Sequence, residues 1–329
     1  MREDVDVEAL ARTLAARLGC RGLRLTRLGV ACRWPVFRAE PPDGSPVFVK
    51  VARPEEVRRA LRFLSSAGGC RLLPRPVLNE PVPFGGGEVL CLEWKEGRTV
   101  FAEEMTDAQA ESFLAGCVEL SQTLARFPSV LRPDDEDDPV RQHAALAAYA
   151  ARHPLCGRLF GGLVGLPVGE RTYGARPLVP VHGDLQPKNY GFDGETLSAV
   201  YDFEELTLGL ACEDPAYAFT ERCRRLGFGR RRRRERLVAL FVRMVEASPW
   251  PADEWLVAVN HCRLRIAARR LAKHPDGWWV AADIASRDRP LKALSDRVRE
   301  CCRGGAQQCV RQGPLFGIIR RRDTGPWSC

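Results

Sequence analysis

Two short apolar runs, Leu178-Val179-Pro180-Val181 and Leu197-Ser198-Ala199-Val200-Tyr201, bracket the chain between Val179 and Phe203, and each ends in polar side chains suited to one kind of chemistry. His182, Asp184 and Asn189 follow the first run, while Asp202, Phe203 and Glu204 follow the second. Carboxylate and carboxamide oxygens are the hard ligands that magnesium prefers. A phosphoryl donor such as ATP is a polyanion held through that ion, and moving its end group needs charge neutralisation and a nucleophile held in line. Asp202 and Asn189 are therefore candidate magnesium ligands. Asp184 is the candidate that orients an attacking hydroxyl and accepts its proton, in a reaction that is mostly positioning. A plain strand-turn-strand hairpin would explain Asp193-Gly194, a good turn pair, but not why His, Asp, Asn and Asp fall at this spacing.

The segment His182-Gly183-Asp184-Leu185-Gln186-Pro187-Lys188-Asn189 resembles the His-Gly-Asp-Leu-His-Pro-Gly-Asn catalytic loop of the aminoglycoside phosphotransferase and choline kinase superfamily. Tyr201-Asp202-Phe203-Glu204, Gly209 and Asp214-Pro215-Ala216-Tyr217 resemble that family's Asp-Trp/Phe-Glu and Gly-Asp-Pro-x-Tyr elements. The chain departs from the pattern at Gln186 and Lys188, and at Ala218-Phe219, where the family often reads Asp-Leu. Lys188 either contacts the transferred phosphoryl group or is solvated.

The resemblance implies a bilobal, protein-kinase-like α+β fold with a small antiparallel-sheet N-lobe and a mainly helical C-lobe. It implies an ATP-dependent O-phosphotransferase acting on a small hydroxylated molecule, with ATP and Mg2+ as cofactors. Asp184 would be the base, Asn189 and Asp202 the metal ligands, and His182 and Asp214 structural supports of the loop. A protein kinase is disfavoured, because the loop reads His-Gly-Asp rather than His-Arg-Asp and no Ala-Pro-Glu segment follows. A non-catalytic nucleotide-binding scaffold is disfavoured because Lys50, Asp184, Asn189 and Asp202 are all retained.

Other elements must carry the donor to this loop. Val47-Phe48-Val49-Lys50-Val51 alternates like a strand, and Lys50 is one of only five lysines in an arginine-rich chain. A compact ammonium suits phosphate better here than a planar guanidinium, and Lys50 resembles the kinase lysine that holds the α- and β-phosphates. Gly29, in Gly29-Val30-Ala31-Cys32 between strands over 23–28 and 34–39, marks either the loop that would lie over the phosphates or a plain hairpin turn. An amphipathic helix over 55–64 offers Glu56 as partner of Lys50, with Glu55 behind it. Glu93-Trp94-Lys95-Glu96-Gly97 resembles the family's hinge, whose backbone would read the adenine edge. The expected division is an N-lobe over 1–94, a C-lobe over 95–300 and a tail over 301–329.

Further helices are expected over 5–18, 107–127 (capped by Thr106 or Asp107), 235–248, 251–274 and 278–300. Trp250, Trp255, Trp278 and Trp279 are candidates to wall the acceptor site, with core packing as the alternative. At 329 residues two lobes are the natural prior. No apolar run is long enough to span a bilayer, and the acidic Met1-Arg2-Glu3-Asp4 start lacks a signal core. A cytoplasmic enzyme with reduced thiols is therefore expected despite 13 cysteines. The net charge of +8 is concentrated in arginines, densest at Arg230–Arg234. That run is either a solvated surface or a surface for an anionic partner, and the second reading brings an alternative cell-envelope lipid or sugar kinase. Nucleic acid is not expected, since no binding motif or aromatic interleaving accompanies the run. The acidic stretch Pro133–Pro139 is either a solvated linker or an attraction for a cationic acceptor.

Overall fold

Side-chain alternation sorts the first lobe into two faces. Its five antiparallel strands, Arg24–Leu28 (β1), Val36–Glu40 (β2), Val47–Ala52 (β3), Val82–Phe84 (β4) and Gly87–Glu93 (β5), run in the order β1-β2-β3-β5-β4. Val47, Val49 and Val51 join Phe37, Ala39, Val89 and Cys91 in one apolar cluster, closed by Leu10 and Leu14 of helix α1 (Val7–Leu18). With a period of two, Phe48 and Lys50 then face the opposite side. The computed structural model describes residues 5–29, 34–67, 69–127, 139–153, 163, 178–226, 230–274 and 279–304.

Helix α1 starts where Asp6 accepts the Ala9 N–H at 2.9 Å and stops at Gly19, whose φ of +68° suits glycine. Helix α2 (Pro54–Ser66) follows β3 directly, with proline at its first position, where no N–H is needed. Its buried face, including Val57, Leu61, Phe63 and Leu64, packs with Leu90 and Leu92 of β5 in the largest core cluster.

Beyond β5 the chain becomes mainly helical. Helix α3 (Asp107–Leu124) is started by Thr106, whose hydroxyl accepts the Gln109 N–H while Gln109 returns a bond to the Thr106 N–H. Helix α4 spans Pro139–Arg152. Strand β6 (Val179–Val181) leads into the loop carrying Asp184, and the hairpin of β7 (Tyr190–Asp193) and β8 (Thr196–Val200) turns at Gly194. Strand β9 (Thr207–Gly209) pairs back onto β6. Helices α5 (Glu213–Leu226), α6 (Arg231–Ala247), α7 (Ala252–Lys273) and α8 (Trp279–Gly304) complete the second lobe. The molecule is a bilobal, kinase-like α+β fold whose main core runs from Leu90 and Leu92 of the sheet through Phe113 to Phe219, Phe241 and Trp255.

Several expectations change here. Helix α6 begins at Arg231 rather than at Glu235, so the arginine run forms its first turn. Cations there oppose the helix dipole, and carboxylates offset the cost. Arg231 pairs with Glu235 at 2.7 Å and Arg233 with Glu104 at 3.6 Å, while the neighbouring Arg236 donates to the Met105 carbonyl at 3.1 Å. Trp255 is fully buried against Phe241 and Trp250 and is a core residue, not a wall of an open site. Cys301 and Cys302 belong to the last turns of α8, and the nine described cysteines are all free. The acidic stretch over 133–138, Trp278 and the tail beyond 304 lie outside the described residues. Among the described residues, no helix is long and apolar enough to cross a membrane.

Candidate active site

Asp214, in the first turn of α5, turns its carboxylate onto the incoming loop. It accepts the His182 N–H at 2.8 Å and the Gly183 N–H at 3.0 Å. Burial pushes its carboxyl above the usual carboxylate range, opposed by His182 and by these two amides. The His182 ring takes up the next turn of the loop: Nδ1 accepts the Asp184 N–H at 3.2 Å and Nε2 donates to the Tyr201 carbonyl at 2.7 Å. Those two bonds require the neutral tautomer with its proton on Nε2, and they tie the catalytic loop to the strand that delivers Asp202.

Gly183 makes the approach possible. Its φ is +78°, and a Cβ there would lie 2.3 Å from the Glu205 carbonyl oxygen, a backbone atom that cannot step aside. Gly183→Ala is expected to cost roughly 2–4 kcal/mol in chemical denaturation and to depress turnover, through strain at that φ plus the clash.

Asp184 is buried and accepts from three side chains. Gln186 Nε2 donates to both oxygens at 2.8 and 2.7 Å, Asn189 Nδ2 to Oδ2 at 3.0 Å, and the Tyr217 hydroxyl to Oδ1 at 3.1 Å. Asn189 Nδ2 also reaches the Asp184 carbonyl at 2.8 Å, so the amide is fixed with its nitrogen toward the base. Its oxygen Oδ1 is thereby turned away from Asp184. Gln186 is itself oriented by Arg225, which donates to Oε1 at 2.9 Å and is held by Glu221 at 2.7 Å. Lys188 is half-exposed, with Nζ 3.7 Å from Asp184 Oδ2 and 4.0 Å from Asp202 Oδ2.

Asp202 lies two residues beyond β8 with a φ of +73°, the sole non-glycine residue with a positive φ among those described. Aspartate tolerates this region better than most residues, and such strain concentrates at functional sites. Its carboxylate hydrogen-bonds to Lys50 Nζ, and Glu204 lies 2.5 Å from the same ammonium. Lys50 therefore takes Asp202 and Glu204 in place of the expected Glu56. The reason is positional: Glu56 stands on the buried face of α2's first turn, while the turn after β8 delivers two carboxylates straight to the ammonium. Glu56 is buried, its Oε2 makes no hydrogen bond, and its charge bears on Glu204.

The electrostatics follow from this crowding. Burial alone would depress Lys50, but Asp202 and Glu204 hold it well above the ordinary lysine range. Burial would raise Asp202, yet Lys50 outweighs it and keeps that carboxyl below its usual value. Glu204 goes the other way: burial, opposed by Lys50 but reinforced by Asp202 and Glu56, pushes it up to about 7. Between the ordinary value of 4.5 and about 7, the folded chain holds a proton here that the unfolded chain has lost. Stability at this site thus falls as pH rises through that window, by on the order of 2–3 kcal/mol. Glu204→Gln is expected to flatten that slope in denaturation curves taken across the window; an unchanged slope would locate the proton elsewhere.

The hinge expectation is refined. The Glu93 N–H donates to the Arg75 carbonyl at 2.7 Å and the Trp94 N–H to the Pro46 carbonyl at 3.3 Å, so both amides are committed to the first lobe. Lys95 N–H is the hinge amide that turns toward Tyr201, whose hydroxyl accepts it at 2.9 Å. Gly29 is exposed at the end of β1 with a φ of +59°, and Val30–Cys32 lie outside the described residues.

The structure thus gathers Lys50, Asp184, Asn189, Asp202, His182 and Asp214 into one site. Sequence reasoning assigned no site role to Glu204, Gln186, Tyr217 or Tyr201. Tyr217 lies three residues after Asp214 on one helix, so the spacing that fixes the loop support also fixes its phenol.

A buried carboxylate ringed by donors, a carboxamide beside it, and a second carboxylate on a lysine of a sheet lobe are the arrangement of a phosphotransferase of protein-kinase-like fold. The model of the APH phosphotransferase enzyme family matches residues 33–249, and the chain belongs to that family. It is an ATP-dependent phosphotransferase with an alcohol group as acceptor. No curated protein matches the sequence. Solved structures share the fold at low identity. Amicoumacin kinase hAmiN, in complex with AMP-PNP, Ca2+ and Ami, is 15% identical with a TM-score of 0.55, over 89% of this chain and 94% of its own. Macrolide 2'-phosphotransferase MphH from Brachybacterium faecium is 18% identical with a TM-score of 0.51, over 89% and 98%. Spectinomycin phosphotransferase APH(9)-Ia, with ADP and spectinomycin, is 12% identical with a TM-score of 0.56, over 91% and 98%.

Proposed function

We propose that the chain transfers the terminal phosphoryl group of ATP to a hydroxyl of a small molecule such as an aminoglycoside, amino alcohol or sugar. The observation that carries this reading is Asp184: a buried carboxylate fixed by Gln186, Asn189 and Tyr217, beside an Asn189 oxygen left facing away from it. Asp184 orients the acceptor hydroxyl and takes its proton as the new P–O bond forms. Lys50 holds the donor's phosphates, exchanging its two carboxylate partners for phosphate oxygens. Lys188, within 4.0 Å of both aspartates, adds positive charge where the group passes.

Asn189 Oδ1 and the Asp202 carboxylate are hard oxygen donors and fit magnesium. When bound, magnesium would neutralise phosphate charge. The relatives solved with AMP-PNP or ADP and an antibiotic support the donor and acceptor classes by analogy of fold.

The cell-envelope alternative rests on Arg230–Arg234. Two of those arginines are engaged by Glu235 and Glu104, which favours a freely diffusing acceptor.

The test is magnesium-dependent ADP release from ATP, screened over aminoglycosides, amino alcohols, sugars and lipopolysaccharide fragments, with Asp184→Asn as the blank. Acceptor-stimulated release confined to one class, and lost in the variant, supports the reading and names the class. Stimulation by lipopolysaccharide fragments alone would favour the envelope alternative.

A further inference from the structure

Tyr201 does three things with one ring. It stacks on Phe48, the centroids 4.8 Å apart and the planes 25° from parallel. Its hydroxyl accepts the Lys95 N–H at 2.9 Å and turns toward the Lys95 carbonyl at 3.4 Å. Its backbone continues directly into Asp202. Phe48 is two residues before Lys50 on the same face of β3, so the phenol lies under the roof of the cleft, against the hinge, beside the phosphate-handling groups.

A purine whose phosphates reach Lys50 and Asp202 would meet the same three groups: the Phe48 ring to stack on, the Lys95 amide as donor, and Asp202 beside it. We propose that Tyr201 is a built-in competitor of the donor's base, occupying the purine slot with its phenol, so that adenine must displace it to reach Lys95. This rests on the phosphotransferase reading and sets how tightly the site takes its donor. Only the side chain has to move. The Tyr201 N–H is held by the Asn189 carbonyl at 2.8 Å and its carbonyl by His182 Nε2 at 2.7 Å, which anchors the backbone and leaves rotation about the Cα–Cβ bond as the way out. Base entry and catalytic-loop geometry are thereby separated: the ring can swing while Asp184, Asn189 and Asp202 stay in place.

Calorimetric binding of magnesium ATP and of magnesium tripolyphosphate, which has no base, tests this in the wild type, Tyr201→Phe, Tyr201→Ala and Lys50→Met. Removing the hydroxyl frees the Lys95 amide, and one neutral hydrogen bond, about 1 kcal/mol net, corresponds to about fivefold in Kd. Tyr201→Phe should bind ATP about fivefold more tightly and Tyr201→Ala roughly tenfold or more, with tripolyphosphate unchanged and acceptor KM unmoved. ATP binding that depends on Lys50 but is equal or weaker in both Tyr201 variants would overturn the proposal and leave the donor reading standing, with Tyr201 a platform under the base. Equal shifts for ATP and tripolyphosphate would also overturn it. If no variant bound either ligand, the donor reading would fail and the competition with it.

Discussion

Asp184→Asn should lower kcat about 1,000-fold while leaving ATP affinity within about threefold of wild type, because a positioned general base contributes roughly 10²–10⁴ and Asp184 is not among the groups that hold the donor. The isosteric amide keeps the shape of the site but turns an N–H2 group toward donors that now lack an acceptor. Gln186 Nε2 reaches both oxygens of the present carboxylate, so at least one bond becomes donor against donor. That mismatch should cost on the order of 1–2 kcal/mol of stability, measurable by denaturation and too small to unfold the protein. A kcat within tenfold of wild type would show that proton removal at Asp184 is not part of the chemistry.

Lys50→Met should have the largest combined effect on stability and donor binding. It leaves Asp202 and Glu204 facing each other with no cation between them, and removing one partner of a buried ion pair costs about 3–5 kcal/mol. Asp202 keeps some access to water, which places the expected loss near the lower end. The loss should shrink at lower pH, where Glu204, already pushed up to about 7, takes a proton and the repulsion disappears. Donor KM should rise by roughly 30-fold or more, the scale of losing one charge partner. The double variant Lys50→Met/Glu204→Gln separates the effects: stability should return in large part, and donor affinity should not. Recovery of both would mean that Lys50 serves only to neutralise the two carboxylates.

Local features of this site were legible and long-range ones were not. Asp184 and Asn189 lie in one loop, so their spacing alone puts them together, and the support of that loop by His182 and Asp214 followed from the family resemblance. The strand alternation at Val47–Val51 correctly set Lys50 apart from the valines, because a period of two leaves little choice of face. Which carboxylate Lys50 meets is a different kind of question. Glu56 is six residues away and Glu204 far along the chain, and nothing in spacing says that the turn after β8 reaches the ammonium before the first turn of α2 does. Local pattern also places the helix start at the arginine run too late, at Glu235 rather than Arg231, since a cationic first turn opposes the dipole. One of the run's partners, Glu235, is four residues on from Arg231 and legible, but Glu104, which pairs with Arg233, lies more than a hundred residues earlier and is invisible to local pattern. Tyr201 shows the same limit: as the last residue of a β-like run it carried no site role, and its contacts with Phe48 and Lys95 come only from the fold.

The measurement closest to the central claim is transfer of label from [γ-32P]ATP to an acceptor hydroxyl, followed together with ADP formation in the wild type and in Asp184→Asn. The account predicts one labelled acceptor per ADP in the wild type, dependence on magnesium, and loss of both products in the variant with ATP binding retained. ADP formed without label reaching any hydroxyl, or transfer undiminished in Asp184→Asn, would contradict it.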